Sequence, residues 1–208
     1  MGDPAARATG TLLLVRHGET SANLDGVWAG STDTPLTARG HVQAGRVAER
    51  LARECADACA VYTSDLQRAR DTAAPIARAL GRELITEPGL REYDLGAWEG
   101  KTYRELHEQH RLWDHMRADP HYAPHGGESP RAVAERISGA LCRIASAHAD
   151  ARVVVVSHGG ALSLAFGLLL DDDYSRWRRV MDNCGISELR LDPLHLLRFN
   201  DTSHLDEP

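Results

Sequence analysis

The sequence has no segment that reads as a leader or an anchor. Met1 to Gly10 lack an apolar core, and no apolar run is long enough to span a bilayer, so the expected compartment is the cytoplasm. Basic residues do not dominate: 24 Lys and Arg face 30 Asp and Glu, for a net charge of -6. That balance provides no footprint for nucleic acid and argues against an anionic membrane as partner. It leaves room for a small anionic substrate, because a few local arginines can override the global sign. Cysteine is sparse. Cys55, Cys59, Cys142 and Cys184 lack the spacing of a disulfide framework. Cys55 and Cys59 could share a helix face, but no second pair completes a zinc site. Reduced, mostly buried thiols are expected. There is no internal repeat and no low-complexity tract.

What is present fits one domain of ordinary size. The chain has 208 residues, 42% hydrophobic and 26% charged, enough to bury a core without staples. Residues 1–10, small and polar, are expected to form a disordered tail ahead of a domain over 11–208. Short apolar runs alternate with helical patterns, which predicts an α/β domain. Leu12 to Val15 and Val153 to Val156 read as strands buried on both faces, and Val61-Tyr62-Thr63 as a third.

A helix is predicted from Thr37 to about Arg53, with Val42, Val47 and Leu51 on its apolar side. Ser64-Asp65-Leu66-Gln67 matches a capping box ahead of a stripe of Leu66, Ala69, Ala73, Ile76, Ala77 and Leu80, stopped by Gly81. Ser129-Pro130 opens a helix with the stripe Val133, Ile137, Ala140, Leu141 and Ile144. Another is expected to follow His158 through Ala161 to Leu170, and Ile186 to Leu191 with Leu194 to Phe199 form a hairpin around Asp192-Pro193. Residues 91–128 have weak periodicity and are expected to form a partly helical insertion that caps a site.

Two of these strands end in His-Gly: Arg16-His17-Gly18 and Ser157-His158-Gly159-Gly160. Ligands in open α/β sheets sit outside the carboxyl ends of the strands. Glycine there lets backbone N–H groups approach an anion, and a following helix start adds a favourable dipole. Arg16, and Arg68 in the first turns of the helix after the third strand, could clamp phosphate with planar guanidinium forks. Positive neighbours should also disfavour protonation of His17 and leave a lone pair for attack.

Five stretches in order resemble the histidine phosphatase superfamily, also called the phosphoglycerate mutase-like family. They are Arg16-His17-Gly18-Glu19-Thr20 with Asn23, Ser64-Asp65-Leu66-Gln67-Arg68-Ala69, Leu90-Arg91-Glu92-Tyr93-Asp94-Leu95-Gly96-Ala97-Trp98-Glu99-Gly100, Gly126-Gly127-Glu128-Ser129 and Ser157-His158-Gly159-Gly160. The resemblance implies a three-layer α/β/α sandwich with a mostly parallel sheet, and a phosphatase without metal or cofactor acting on a small phosphorylated substrate. It also implies roles. His17 would attack phosphorus and become phosphohistidine; Glu92 would protonate the leaving oxygen and later deprotonate water. Arg16, Arg68 and His158, with Gly159, would hold the phosphate oxygens. Asn23 fits a phosphate contact or a helix cap equally well. The compact insertion lacks an adjacent arginine pair, which favours hydrolysis over mutase chemistry. Within it Tyr93, Lys101 and Arg104 are the candidate lid residues, with Lys101 or Arg104 meeting a substrate carboxylate. A module that binds phosphate without turnover is a further reading, opposed by the presence of both His17 and Glu92. Oligomeric state is open, a homodimer being one option.

Three rival features carry less. Cys184 and Arg190 have the C-x5-R spacing of cysteine phosphatases, but Ile186 to Leu189 between them alternate like a strand. His107, His110, His115, His121 and His125 lack a usual metal-ligand spacing and suit a solvated or lid role. Asp171-Asp172-Asp173 reads as a solvated turn. The polar stretch Phe199 to Leu205 is expected to fold back near the pocket.

Overall fold

A computed structural model of the chain describes residues 10–123, 126–173 and 179–206. The expected tail therefore lies outside the described residues up to position 9, as does His125. Gly10 is already packed: a Cβ there would stand 2.3 Å from the His148 carbonyl oxygen.

In chain order the strands are β1 (Thr11–Arg16), β2 (Ala60–Thr63), β3 (Leu84–Thr86), β4 (Arg152–Ser157), β5 (Ile186–Leu191) and β6 (Leu194–Asp201). The helices are α1 (Ser21–Leu24), α2 (Ala38–Glu54), α3 (Gln67–Leu80), α4 (Tyr103–Glu108), α5 (Leu112–Ala118), α6 (Pro130–Ala147) and α7 (Gly159–Phe166). The strands form one sheet in the order β3-β2-β4-β1-β5-β6. The first four are parallel; β5 and β6 run antiparallel at one edge.

Side chains alternate across a strand, so β1 and β4 each feed two cores. Leu13, Val15, Val154 and Val156 pack with Val47, Leu51, Ala69, Ala73 and Ile76 of α2 and α3. Leu12, Leu14, Val153 and Val155 pack with Val133, Ile137 and Leu141 of α6 and Leu162 of α7. The architecture is thus the expected three-layer sandwich with a mostly parallel sheet.

The helix ends follow the local sequence signals in some places and depart from them in others. Thr37 and Ser129 cap α2 and α6 by accepting from Gly40 and Ala132 N–H, and Gly81 ends α3 at φ 64°. Ser64-Asp65-Leu66-Gln67 does not form a capping box. Leu66 is the N-cap without a side-chain bond, and the Gln67 N–H donates to Asp33 Oδ1 instead, at 2.7 Å. Val42 is exposed, and Gln43 and Ala44 take the inward position on α2. The helix after His158 stops at Phe166 and continues to Asp171 as a π-turn. Asp171 is not simply solvated; its carboxylate pairs with Arg179. Cys59 and Cys142 are exposed, while Cys55 and Cys184 are buried, so only half of the thiols are buried as expected. The short edge strand β3 had no clear signal. No helix among the described residues is long and apolar enough to cross a membrane.

The terminal stretch folds back onto α2, not onto the cleft described below. Arg50 donates to both carboxylate oxygens of Asp201 (3.0 and 2.6 Å) and to Ser203 Oγ (3.0 Å), and Arg46 to the Leu205 carbonyl oxygen (2.8 Å). That ion pair holds the Asp201 carboxyl far below the usual carboxylate range.

Candidate active site

The parallel register of β1 and β4 aligns Arg16 with Ser157. His17 and His158 therefore leave the sheet side by side, with ring centroids 5.2 Å apart. The His17 ring is anchored through Nδ1, which lies 2.7 Å from the Gly18 carbonyl oxygen. A carbonyl can only accept, so Nδ1 carries the proton and Nε2 keeps its lone pair. Burial above all, then the charges of Arg68 and Arg16, pushes the His17 pKa well below its ordinary value. The neutral ring is thus the form present at physiological pH.

The loop beyond His17 is fixed by close backbone packing. A Cβ on Gly18 would stand 2.7 Å from the Gly40 carbonyl oxygen, and one on Gly40 2.1 Å from that of Glu19. The Gly18 N–H donates to Thr72 Oγ1 on α3 at 2.9 Å, and Asn183 Nδ2 donates to the His17 carbonyl at 2.9 Å. Helices α2 and α3 on one face of the sheet, and the turn ahead of β5, therefore hold the ring's base.

Two guanidinium groups flank His17. Arg68, in the first turn of α3, is only 2% exposed. Its Nη1 and Nη2 donate to the carbonyl oxygens of Thr32 and Gly30, at 2.9 and 2.6 Å, and burial lowers its pKa. Arg16 donates from Nη1 to the Met181 carbonyl at 2.6 Å, and its buried Nε has no partner. Among the described residues neither forms an ion pair with a carboxylate. The carboxylates of Glu92, Asp33 and Glu99 lie near enough to act on Arg68 without pairing with it, and partly desolvated cations with no direct partner are costly unless an anion joins them. They line a cleft of about 300 Å³ together with His17, Thr20, Asn23 and Glu92.

Asn23 caps α1 and also lines the cleft. Its Oδ1 accepts from the Thr20 N–H in the capping box of α1 and from Asn183 Nδ2, both at 3.1 Å, which leaves Nδ2 as the atom for the cleft. His158 is completely buried, its pKa is pushed well below the ordinary value chiefly by burial, and neither ring nitrogen has a partner.

Both histidines are held neutral in the fold but would protonate in the unfolded chain below about pH 6.5. Unfolding then takes up protons, so their stabilising contribution is full above that pH and falls as pH drops towards the folded-state values. Between about pH 6.5 and 5, above the carboxylate range, denaturant titrations should show stability falling by up to about 1.4 kcal/mol per pH unit for each histidine. His158→Asn should flatten the slope by about one proton. An unchanged slope would mean that His158 ionises alike in both states.

Glu92 corrects one expectation from the sequence. The N-terminus of α7 does not aim its N–H groups at the cleft's anion site; it holds this carboxylate. Gly160 N–H donates to Glu92 Oε2 at 3.0 Å, and Ala161 N–H and Tyr93 N–H donate to Oε1 at 2.7 and 2.8 Å. A helix start is a natural seat for a carboxylate. A Cβ on Gly159 would stand 3.1 Å from Arg16 Nε, so the glycine leaves that guanidinium its room.

A residue that sequence reasoning missed positions Glu92. Arg136 on α6 donates to the carbonyls of Gly89, Arg91 and Glu92, at 3.1, 2.9 and 3.2 Å, and forks onto both oxygens of Glu128. Glu128 in turn accepts from the Asp94 N–H at 3.3 Å. The signal was present as Glu128 and Arg136 eight residues apart, but nothing local says that the pair clasps the 89–94 loop. Arg136→Ala should lower kcat by roughly tenfold to a hundredfold with little change in KM, and Arg136→Lys, which lacks the planar fork, should restore only part. A rise in KM with unchanged kcat would contradict the positioning role.

The lid candidates fare differently. Tyr93 is wholly buried in the core, edge-on to Trp28, which donates from Nε1 to the Tyr93 carbonyl at 3.1 Å. Lys101 and Arg104 line neither the cleft nor the cavity beside it; Tyr103, between them, lines both. The turn into α4 thus brings one aromatic side chain, not a cation, to the site. Several insertion histidines pack on aromatics: His115 stacks on Tyr122, His110 lies tilted against Trp98, and His107 meets Trp113 edge-on. No cluster of three or more metal-ligating side chains occurs among the described residues. Cys184 sits at the turn into β5 with burial pushing its thiol up to about 12, and residues 186–191 are a strand, so the cysteine-phosphatase spacing is a coincidence of β5.

Comparison with known proteins agrees with this geometry. Residues 12–202 match the histidine phosphatase superfamily (branch 1). Phosphoserine phosphatase 1 of Hydrogenobacter thermophilus is 35% identical over 204 residues, covering 94% of each chain. A probable phosphoglycerate mutase of Cronobacter sakazakii is 35% identical over 209 residues, covering 95% of each. The structure of the Entamoeba histolytica phosphoserine phosphatase in complex with 3-phosphoglyceric acid superposes with a TM-score of 0.84 at 29% identity, over 95% of this chain and 100% of that one.

Proposed function

The chain belongs to the histidine phosphatase superfamily, and from that membership we propose that it is a phosphomonoesterase working through a phosphohistidine on His17. The observation that carries this reading is one arrangement. A neutral histidine anchored through Nδ1 opens onto a cleft that also holds a tethered glutamate and two arginines with no ion-paired carboxylate among the described residues.

In the first step His17 Nε2 attacks phosphorus while the bond to the ester oxygen breaks. That oxygen takes its electron pair and a proton from Glu92, and leaves as an alcohol. Arg16 and Arg68 neutralise the charge on the transferring group, Asn23 Nδ2 adds a hydrogen bond, and the bound oxyanion gives a His158 nitrogen the partner it otherwise lacks. In the second step water attacks phosphorus, Glu92 takes its proton, and the P–N bond breaks to release phosphate and neutral His17. The scheme uses only this chain's own groups.

Hydrolysis is preferred to mutase chemistry because a mutase must hold a second anionic group. Arg16 is the one cation among the described residues of the adjoining cavity, and the phosphate already claims it. Brief mixing with a labelled phosphomonoester in excess chelator should trap an acid-labile phosphoenzyme that turns over to inorganic phosphate. Stoichiometric binding without phosphate release would reduce the protein to a binding module. Conversion of 3- to 2-phosphoglycerate in place of hydrolysis would make it a mutase.

A further inference from the structure

Beside the phosphate cleft lies a larger cavity of about 640 Å³, lined by Trp28, Tyr103, Trp113, Val180 and the Gly159-Gly160 backbone, with Arg16 and Glu92 at its inner end. The two spaces share Arg16, Trp28, Glu92 and Tyr103. They therefore adjoin at the carboxylate that serves the leaving oxygen, and the larger one has room for the rest of the substrate.

The lining restricts what that part can be. Lys101, the chain's only lysine, and Arg104 stay outside both spaces. Arg136 is committed to Glu128 and three carbonyls, and Arg179 to Asp171. A carboxylate on the leaving group would meet Glu92 and aromatic walls, with no cation among the described lining residues beyond Arg16. Burying an unpaired charge there is costly. An uncharged planar group would instead lie against Trp113 and the Trp28–Tyr103 pair, whose rings meet edge to face with centroids 5.8 Å apart. The Trp28 indole N–H is already bonded inside the core, so Trp28 offers the cavity ring surface and no donor.

We infer that this enzyme selects phosphomonoesters whose leaving alcohol is uncharged and carries a planar ring, and discriminates against phosphoserine- and phosphoglycerate-type esters. The inference rests on the phosphatase reading above and adds the substrate class to it.

The test compares kcat/KM for 2-naphthylmethyl phosphate, O-phosphoserine and 3-phosphoglycerate with the full chain. All three are alkyl esters, so intrinsic leaving-group reactivity does not decide the outcome. The ring ester should lead by about a hundredfold or more. Trp113→Ala should narrow that lead by about tenfold or more, mainly through KM for the ring ester. Val180→Lys, at a position 45% exposed and tolerant of a long side chain, should raise kcat/KM for 3-phosphoglycerate by about tenfold, and it stands if the tryptophan variant fails to fold. Turnover of all three esters without a lead for the ring ester overturns this inference and leaves the phosphatase reading intact. A lead that both variants leave unaltered also overturns it. No turnover of any ester overturns both.

Discussion

His17→Ala is expected to abolish phosphate release, lowering kcat by about four to six orders of magnitude, as removal of a covalent nucleophile does elsewhere. The loss should be chemical and not structural. The His17 backbone keeps its bonds in the variant: its N–H to the Ser157 carbonyl at 3.0 Å and its carbonyl to Asn183. The ring removed is a desolvated one, anchored by a single bond to the adjacent carbonyl. Arg16, Arg68 and Asn23 remain to hold an anion, so the variant should bind inorganic phosphate within several-fold of the unaltered protein. Binding by calorimetry alongside release kinetics separates the two quantities. Turnover above about one per cent of the original would remove His17 from the role of nucleophile. Loss of the unaltered enzyme's activity in chelator would require a different chemistry altogether.

Glu92→Gln carries the second large effect, and its signature depends on the leaving group. The amide cannot give or take a proton, and one of its ends would turn N–H bonds towards the N–H groups of Gly160 or of Ala161 and Tyr93. For an alkyl phosphate the first step needs a proton on the leaving oxygen, so kcat should fall by about a hundredfold to ten-thousandfold with no burst. For 4-nitrophenyl phosphate the leaving group departs without help, and only hydrolysis of the phosphohistidine is impaired. Rapid mixing should then show a stoichiometric burst of nitrophenolate followed by a slow steady state. Equal losses for the two esters, with no burst, would mean that Glu92 orients the site without transferring protons.

How far the site was legible from sequence differs by residue. His17 and His158 were readable because each ends an unmistakable apolar run and is followed by glycine. Arg68 was harder. Its helix position gave no sign of burial, because the carbonyls of Thr32 and Gly30 that accept its hydrogen bonds arrive from a loop more than thirty residues away. Glu92 stood out only through its surrounding motif, and its partners on α7 lie 68 and 69 positions further on. The lid was the weakest reading. Lys101 and Arg104 were candidates by charge, yet the turn into α4 brings Tyr103 to the cavity in their place.

The sequence by itself determined the layers and the strand ends. Continuous apolar runs such as Leu12 to Val15 need cover on both faces, and amphipathic stripes such as Val133 to Ile144 supply it, so the sandwich follows from burial of local patterns. The tertiary structure alone decided which donors meet which acceptors. It assigned the α7 N-terminus to Glu92, left Arg16 and Arg68 without an ion-paired carboxylate among the described residues, and walled the neighbouring cavity with aromatic rings. Those outcomes depend on segments far apart in the chain arriving at one point with set orientations. Hydrophobic periodicity records whether a residue faces inward, and it holds no information about the partner that residue will find there.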